Sequence, residues 1–286
     1  MRLRPSLAFE AVAAFLTAYL FFSLSLSPER TVIHPAFRPD SVLTLIRIDT
    51  LTEREPPSPI PSPSPTPVDP IVIEHGPRNA KIIALTFDAC STHDPSNYDE
   101  RISEVLIRTR TPATLFLGGK WMMEESEQTK RLAANPLFEL GNHTYAHPHL
   151  RLKSEEQIRK ELQSTQDVMD SLTGRRASLF RPPYGEYDER VVRIAASIGL
   201  KTIQFDLASG DPDPAISKDR LVRYVSSMAR SGSIIVMHIN RRGWHTAEAL
   251  PEIISRLHQR GFIFMTVSEM LRHQAETGHG KNKERP

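Results

Sequence analysis

The chain has 286 residues, 39% hydrophobic and 24% charged, an ordinary balance for a folded core. Its formal charge of +2 leaves no broad basic field and excludes sequence-independent nucleic-acid binding, and a single cysteine, Cys90, excludes an internal disulfide. The 23 prolines against 13 glycines are unusual, and many of those prolines fall in one stretch.

From the N-terminus, Arg2 and Arg4 precede an apolar run from Ala11 to Leu26. This pattern predicts an export signal or a short membrane anchor over residues 1–27 and places the rest outside the cytoplasmic membrane. The run is short for a spanning helix, and no A-x-A cleavage site follows it. Residues 28–70 read as a linker. They end in PPSPIPSPSPTPVDP, where prolines without amide donors favour extended polyproline II, and the Val42–Ile48 stretch alternates weakly enough to suggest one stray strand.

From Ile71 the pattern turns to short β-branched or aromatic runs separated by longer amphipathic stretches, the signature of a parallel α/β sheet or barrel. The strands are expected at KIIALTF ending at Asp88, ATLFL from Ala113, LFEL before Gly141, SLFR ending at Arg181, KTIQFD ending at Asp206, SIIVM before His238 and FIFMTV from Phe262. Helices are expected over Ser154–Leu172, where Ser154 and Gln157 make a capping box, and over Ala247–Gln259. The folded domain is thus expected over 71–274, with a polar, disordered tail over 275–286.

In a parallel barrel, catalytic groups sit at the carboxyl ends of strands. That is where Asp88, His143 and His147, Arg181, Asp206 and Asp211, and His238 are expected. The H-x-x-x-H spacing alone is weak evidence, although neutral imidazole is a good ligand for zinc and its neighbours.

The ordered set TFDAC, HTYAHP, RPPYG, SGDP and VMH resembles the five motifs of NodB-type polysaccharide deacetylases, carbohydrate esterase family four, over about Ala84 to Leu271. The resemblance implies a distorted, incomplete (β/α) barrel and hydrolysis of acetyl groups from N-acetylated, or O-acetylated, sugars of an extracytoplasmic polysaccharide. It also implies a water nucleophile on a divalent metal, zinc or another transition metal, and assigns roles by position. His143 and His147 match metal ligands, Asp88 the catalytic base and Arg181 the group that holds the base. Tyr184 matches the oxyanion-binding amide, His238 the general acid, and Asp211 the carboxylate that orients it. Pro183, Tyr184 and Val236 match substrate-binding positions.

The match breaks at Ala89, where the family's first motif carries an aspartate that serves as the third metal ligand. Candidates to replace it are Asp94, Asp99 and His93, with Asp94 favoured, or Asp88 itself shifting from base to ligand. The fourth motif has Ala208 and Pro212 where an aspartate and a tryptophan usually stand, so Pro212 removes an aromatic platform for a sugar face. These departures sustain two rival readings, a non-catalytic glycan-binding pseudoenzyme and a Cys90-dependent acyl hydrolase with His238 and Asp211 as partners.

Overall fold

A computed structural model describes residues 66–91 and 97–280. The signal or anchor run, the weakly alternating Val42–Ile48 stretch, nearly all of the linker, His93 and Asp94 lie outside the described residues.

Nine strands carry the fold, in chain order β1 (Val72–Ile73), β2 (Ile82–Ala89), β3 (Ala113–Leu117), β4 (Phe138–Asn142), β5 (Leu179–Phe180), β6 (Lys201–Ile203), β7 (Leu207–Ala208), β8 (Ile234–His238) and β9 (Ile263–Phe264). All ladder pairings are parallel, in the order β1-β6-β5-β4-β3-β2-β8-β7, with β9 added to the start of β2. The end strands β1 and β7 do not pair with each other among the described residues. The sheet therefore curls into an incomplete α/β barrel, as the resemblance implied.

The helices are α1 (Glu100–Arg108), α2 (Gly119–Glu124), α3 (Ser126–Ala134), α4 (Glu155–Thr173), α5 (Glu189–Ser197), α6 (Lys218–Met228), α7 (Thr246–Gln259) and α8 (Val267–Gly280). The predicted capping box is present, because Ser154 accepts from the Gln157 amide and Gln157 accepts in return from the Ser154 amide. Gly174, at φ 66, ends α4 in the left-handed conformation that suits glycine.

The central strand shows how the site is positioned. Side chains alternate across a strand, and in β2 Ile83, Leu85, Phe87 and Ala89 join the large hydrophobic cluster. Ile82 and Ala84 face the opposite way, into a smaller cluster with Phe116, Ile203, Ile234 and Met270. Thr86 and Asp88 continue that second row and carry polarity up the barrel interior. Ala89, fully buried among apolar neighbours, lies on the other face from Asp88.

Three sequence expectations change. The stretch from Ala275 continues α8 as far as Gly280. Extending an existing helix fixes one residue per added hydrogen bond, and Ala275 and Glu276 are good helix formers. Asp206 does not end a strand at the site; it precedes β7, where it accepts from Arg78 at 2.8 Å and from the Ile234 amide at 3.0 Å, at the start of β8. Contacts also begin before Ile71, since the Val68 amide donates to the Ala196 carbonyl at 3.0 Å.

Candidate active site

Five strand ends, those of β2, β4, β5, β7 and β8, bring the predicted residues to one pocket of about 250 Å³ at the carboxyl end of the sheet. Asp88, His143, His147, Tyr184, Asp211, Val236 and His238 all line it. Register explains part of this convergence, because Asp88 in β2 stands opposite His238 in β8.

Arg181 lies behind the wall, only 1% exposed, with its guanidinium over the Phe116 ring at 4.1 Å. It donates to Asp88 Oδ1 at 2.8 Å, to Thr86 Oγ1 at 2.7 Å and to the Gln204 carbonyl at 3.2 Å. Burial alone would raise the Asp88 carboxyl, but Arg181 foremost, then His143 and His238, holds it below the ordinary carboxylate range. Asp88 is therefore ionised at neutral pH.

His143 follows β4 and is buried. Its Nδ1 lies 2.8 Å from the Arg181 carbonyl, which accepts only if Nδ1 carries the proton, so Nε2 keeps its lone pair. Asp88 Oδ2 lies 3.8 Å from that Nε2. The His147 ring packs 4.9 Å from that of His143, and its Nδ1 is buried with no hydrogen-bond partner among the described residues. Burial pushes both imidazoles down, His147 to about 3 with His143 adding to the effect, so both are neutral.

The loops that carry these groups hold unusual backbone. Thr144, His147 and Tyr184 are non-glycine residues at φ 63, 57 and 58. Thr144 Oγ1 accepts from the His147 amide at 3.1 Å and fixes that turn. Tyr184 is 52% exposed and packs edge-on to His147 at 4.5 Å and flat against His149 at 4.1 Å. Pro182 rather than Pro183 lines the pocket; both prolines are buried, and the chain turns sharply over Pro183–Gly185.

Across the pocket, Asp211 is fully buried and accepts four hydrogen bonds. His238 Nδ1 and Ser209 Oγ reach Oδ1 at 2.9 and 3.0 Å, and the His238 amide and Thr246 Oγ1 reach Oδ2 at 2.8 and 2.7 Å. Burial would lower the His238 pKa, but the Asp211 carboxylate outweighs it and the pKa is raised. Thr86, Ser209 and Thr246 were missed from the sequence as site residues. Ser209 and Thr86 had a signal, their places inside SGDP and TFDAC.

The third metal donor is the gap. Among the described residues no group of three or more His, Cys, Asp or Glu side chains is placed to hold a metal ion. Asp99 caps α1 by accepting from the Arg101 amide and pairs with the Arg101 guanidinium at 2.6 Å, so it is committed elsewhere. The two neutral imidazoles and the orphaned His147 nitrogen suit a divalent ion, but they supply two donors of the usual three. Cys90 also lines the pocket, and burial pushes its thiol up to about 11. A thiol held neutral is a less ready nucleophile, which weighs against the cysteine hydrolase reading.

Comparison with known proteins places the chain in a family. The profile of the Polysaccharide deacetylase family matches residues 75–203. A peptidoglycan-N-acetylglucosamine deacetylase of Bacillus cereus is 30% identical over 204 residues, covering 70% of this chain and 72% of the relative. The chain belongs to the polysaccharide deacetylases, carbohydrate esterase family 4. Among solved structures of the family, Bacillus subtilis PdaA is similar with a TM-score of 0.64 and 26% identity, over 71% of this chain and 85% of that one. BA3943 of Bacillus anthracis, described as a pseudoenzyme of the same family, is similar with a TM-score of 0.65 and 30% identity, over 71% and 70% of the two chains. A mutant of it is described as having restored enzymatic activity. Relatives of this chain thus include both a carbohydrate esterase and a protein described as a pseudoenzyme.

Proposed function

We propose that this chain is a metal-dependent deacetylase of an N-acetylated glycan, such as peptidoglycan, outside the cytoplasmic membrane. The observation that supports it is the convergence, in one pocket, of an ionised Asp88 held by Arg181, two neutral imidazoles, and a His238 whose proton is held by Asp211. His143 and His147 would hold the metal, with Asp94, outside the described residues, as the favoured third donor. When bound, such an ion polarises the acetyl carbonyl and acidifies water.

Each remaining step belongs to the chain's own groups. Asp88 takes the proton of the attacking water, and Arg181 keeps it ionised for that purpose. The Tyr184 amide, placed by the positive-φ turn after two prolines, binds the oxygen on which charge develops. Val236, with leucine the usual family residue, lines the space for the acetyl methyl. His238 then gives its proton to the departing amine, and acetate leaves. Residues 1–27 would export or anchor the domain, and residues 28–70 would hold it away from the membrane.

Ala89 favours a second reading, a glycan-binding pseudoenzyme. The deciding experiment measures metal content of the purified protein together with deacetylation of chitin oligomers before and after chelation. Stoichiometric metal and turnover that falls on chelation and returns with metal support the enzyme. Absence of turnover with any added metal sinks it.

A further inference from the structure

A second groove of about 790 Å³ adjoins the catalytic pocket and shares Pro212 and Arg242 with it. Its walls include Tyr98, Arg241, Trp244 and His245. The carboxylates that face this groove, Asp99 and Glu248, are both bound by Arg101, at 2.6 and 2.9 Å. Arg241 and Arg242 have no carboxylate within 4 Å among the described residues. The groove therefore offers two guanidinium groups whose charge is not balanced by these neighbours.

The segment that presents them is built into the site. The Arg241 amide donates to the Asn97 carbonyl and the Trp244 amide to the Asp211 carbonyl, at 3.0 and 2.8 Å. Asn240 Nδ2 donates to the Cys90 carbonyl at 3.1 Å. A Cβ at Gly243 would stand 2.6 Å from Thr246 Oγ1 and 2.7 Å from the His238 carbonyl, so only glycine allows this segment to lie against the dyad. Trp244, 47% exposed, is thereby held beside Pro212, the position at which the family's tryptophan is absent.

We propose that this groove is a glycan subsite for a sugar ring bearing a carboxylate, next to the ring whose acetyl group enters the catalytic pocket. Trp244 supplies the aromatic face that Pro212 lacks, and a sugar ring lies against it. Arg241 and Arg242 receive the carboxylate, whose planar fork matches a guanidinium. The direction of the cleft rests on the deacetylase reading, but binding in the groove needs no turnover. The carboxylate has two sources, an acid carried on a lactyl ether of the amino sugar or the ring acid of a uronic acid.

The test is calorimetric binding of four tetrasaccharides to the full-length protein. They are a neutral N-acetylglucosamine oligomer, a peptide-free oligomer alternating with lactyl-ether acid sugars, that oligomer with its acids as methyl amides, and an oligomer alternating with glucuronic acid. An acid-bearing probe should bind about tenfold more tightly than the neutral and amidated ones, with the gap shrinking as salt is raised. Arg241→Gln should close the gap, and Trp244→Ala should weaken all probes severalfold. Preference for the lactyl acid alone, or for both acids, identifies the source. Equal affinity for acid and neutral probes, or a gap that survives in both Arg241→Gln and Arg242→Gln, overturns the proposal. A preference without turnover would overturn the deacetylase reading and leave the groove standing; turnover without preference would do the reverse.

Discussion

The two walls of the catalytic pocket are built to different degrees of completeness. On the Asp211–His238 wall every acceptor of a buried carboxylate is met by this chain, through four donors from Ser209, His238 and Thr246. On the His143–His147 wall the two imidazoles are neutral, the nearest carboxylate is already bound by Arg181, and His147 Nδ1 has no partner among the described residues. The first wall is complete without any other species. The second has the donor chemistry for an ion but only part of the set. A network that balances its own charge keeps its geometry unaided, whereas a site that shares the work with an ion leaves polar atoms unmatched in the protein alone.

Substitutions on the second wall should have the largest effects. His143→Ala removes one of only two imidazoles, so metal content should drop below measurable occupancy and turnover should fall to background. Elemental analysis beside the chitin-oligomer assay checks both. Retained metal in this variant would move the metal site elsewhere and end the contrast between the walls.

On the first wall, His238→Ala should lower turnover by about two orders of magnitude with metal content unchanged, because general acid catalysis supplies roughly that factor. Loss of metal would show that His238 is a ligand and that the two walls are one site. Asp211→Asn should be milder, about tenfold at neutral pH, and should also shift the pH profile. A general acid must carry its proton, so rate falls as pH rises through the His238 pKa. Asp211 raises that pKa, so removing its charge should bring the alkaline limb to lower pH. An unmoved limb would detach the dyad from the chemistry.

The same contrast governs what could be read from the sequence. Long strands with β-branched runs were legible, and β3 falls on the expected Ala113–Leu117. The equally short β5 and β9 were legible because they lie inside the runs SLFR and FIFMTV, whereas β1 and β7 were not, because a period of two cannot be recognised in two residues alone. Missing β7 also misassigned Asp206, which looked like a strand end and serves the opposite end of β8. At the site, residues in compact motifs were legible as a set. The partners of Thr86, although it opens TFDAC, and of Thr246 were not, because a hydroxyl in a strand or a first helical turn carries no sign of which distant carboxylate or arginine it meets. The departure at Ala89 was visible as a missing ligand. Its burial on the apolar face of β2 was not, since only pairing fixes which way an alternating strand faces.

Thr246→Val is the smallest change that still separates the walls. Valine preserves the shape at the start of α7 and removes one donor, leaving Asp211 Oδ2 with the His238 amide alone. Losing a buried hydrogen bond to a charged group should destabilise the fold by about 1–2 kcal/mol, readable as a lower melting temperature. A carboxylate with fewer donors is less stabilised in its ionised form and attracts the His238 proton more strongly. The alkaline limb should therefore move slightly upward, opposite to its movement in Asp211→Asn, while turnover falls only severalfold and metal content stays constant. Thr246→Ser, which keeps the hydroxyl, should restore the limb to its original position. A merely structural threonine would lower stability and leave the pH profile where it was, so the direction of this one shift tests whether the complete wall acts as a unit in proton transfer.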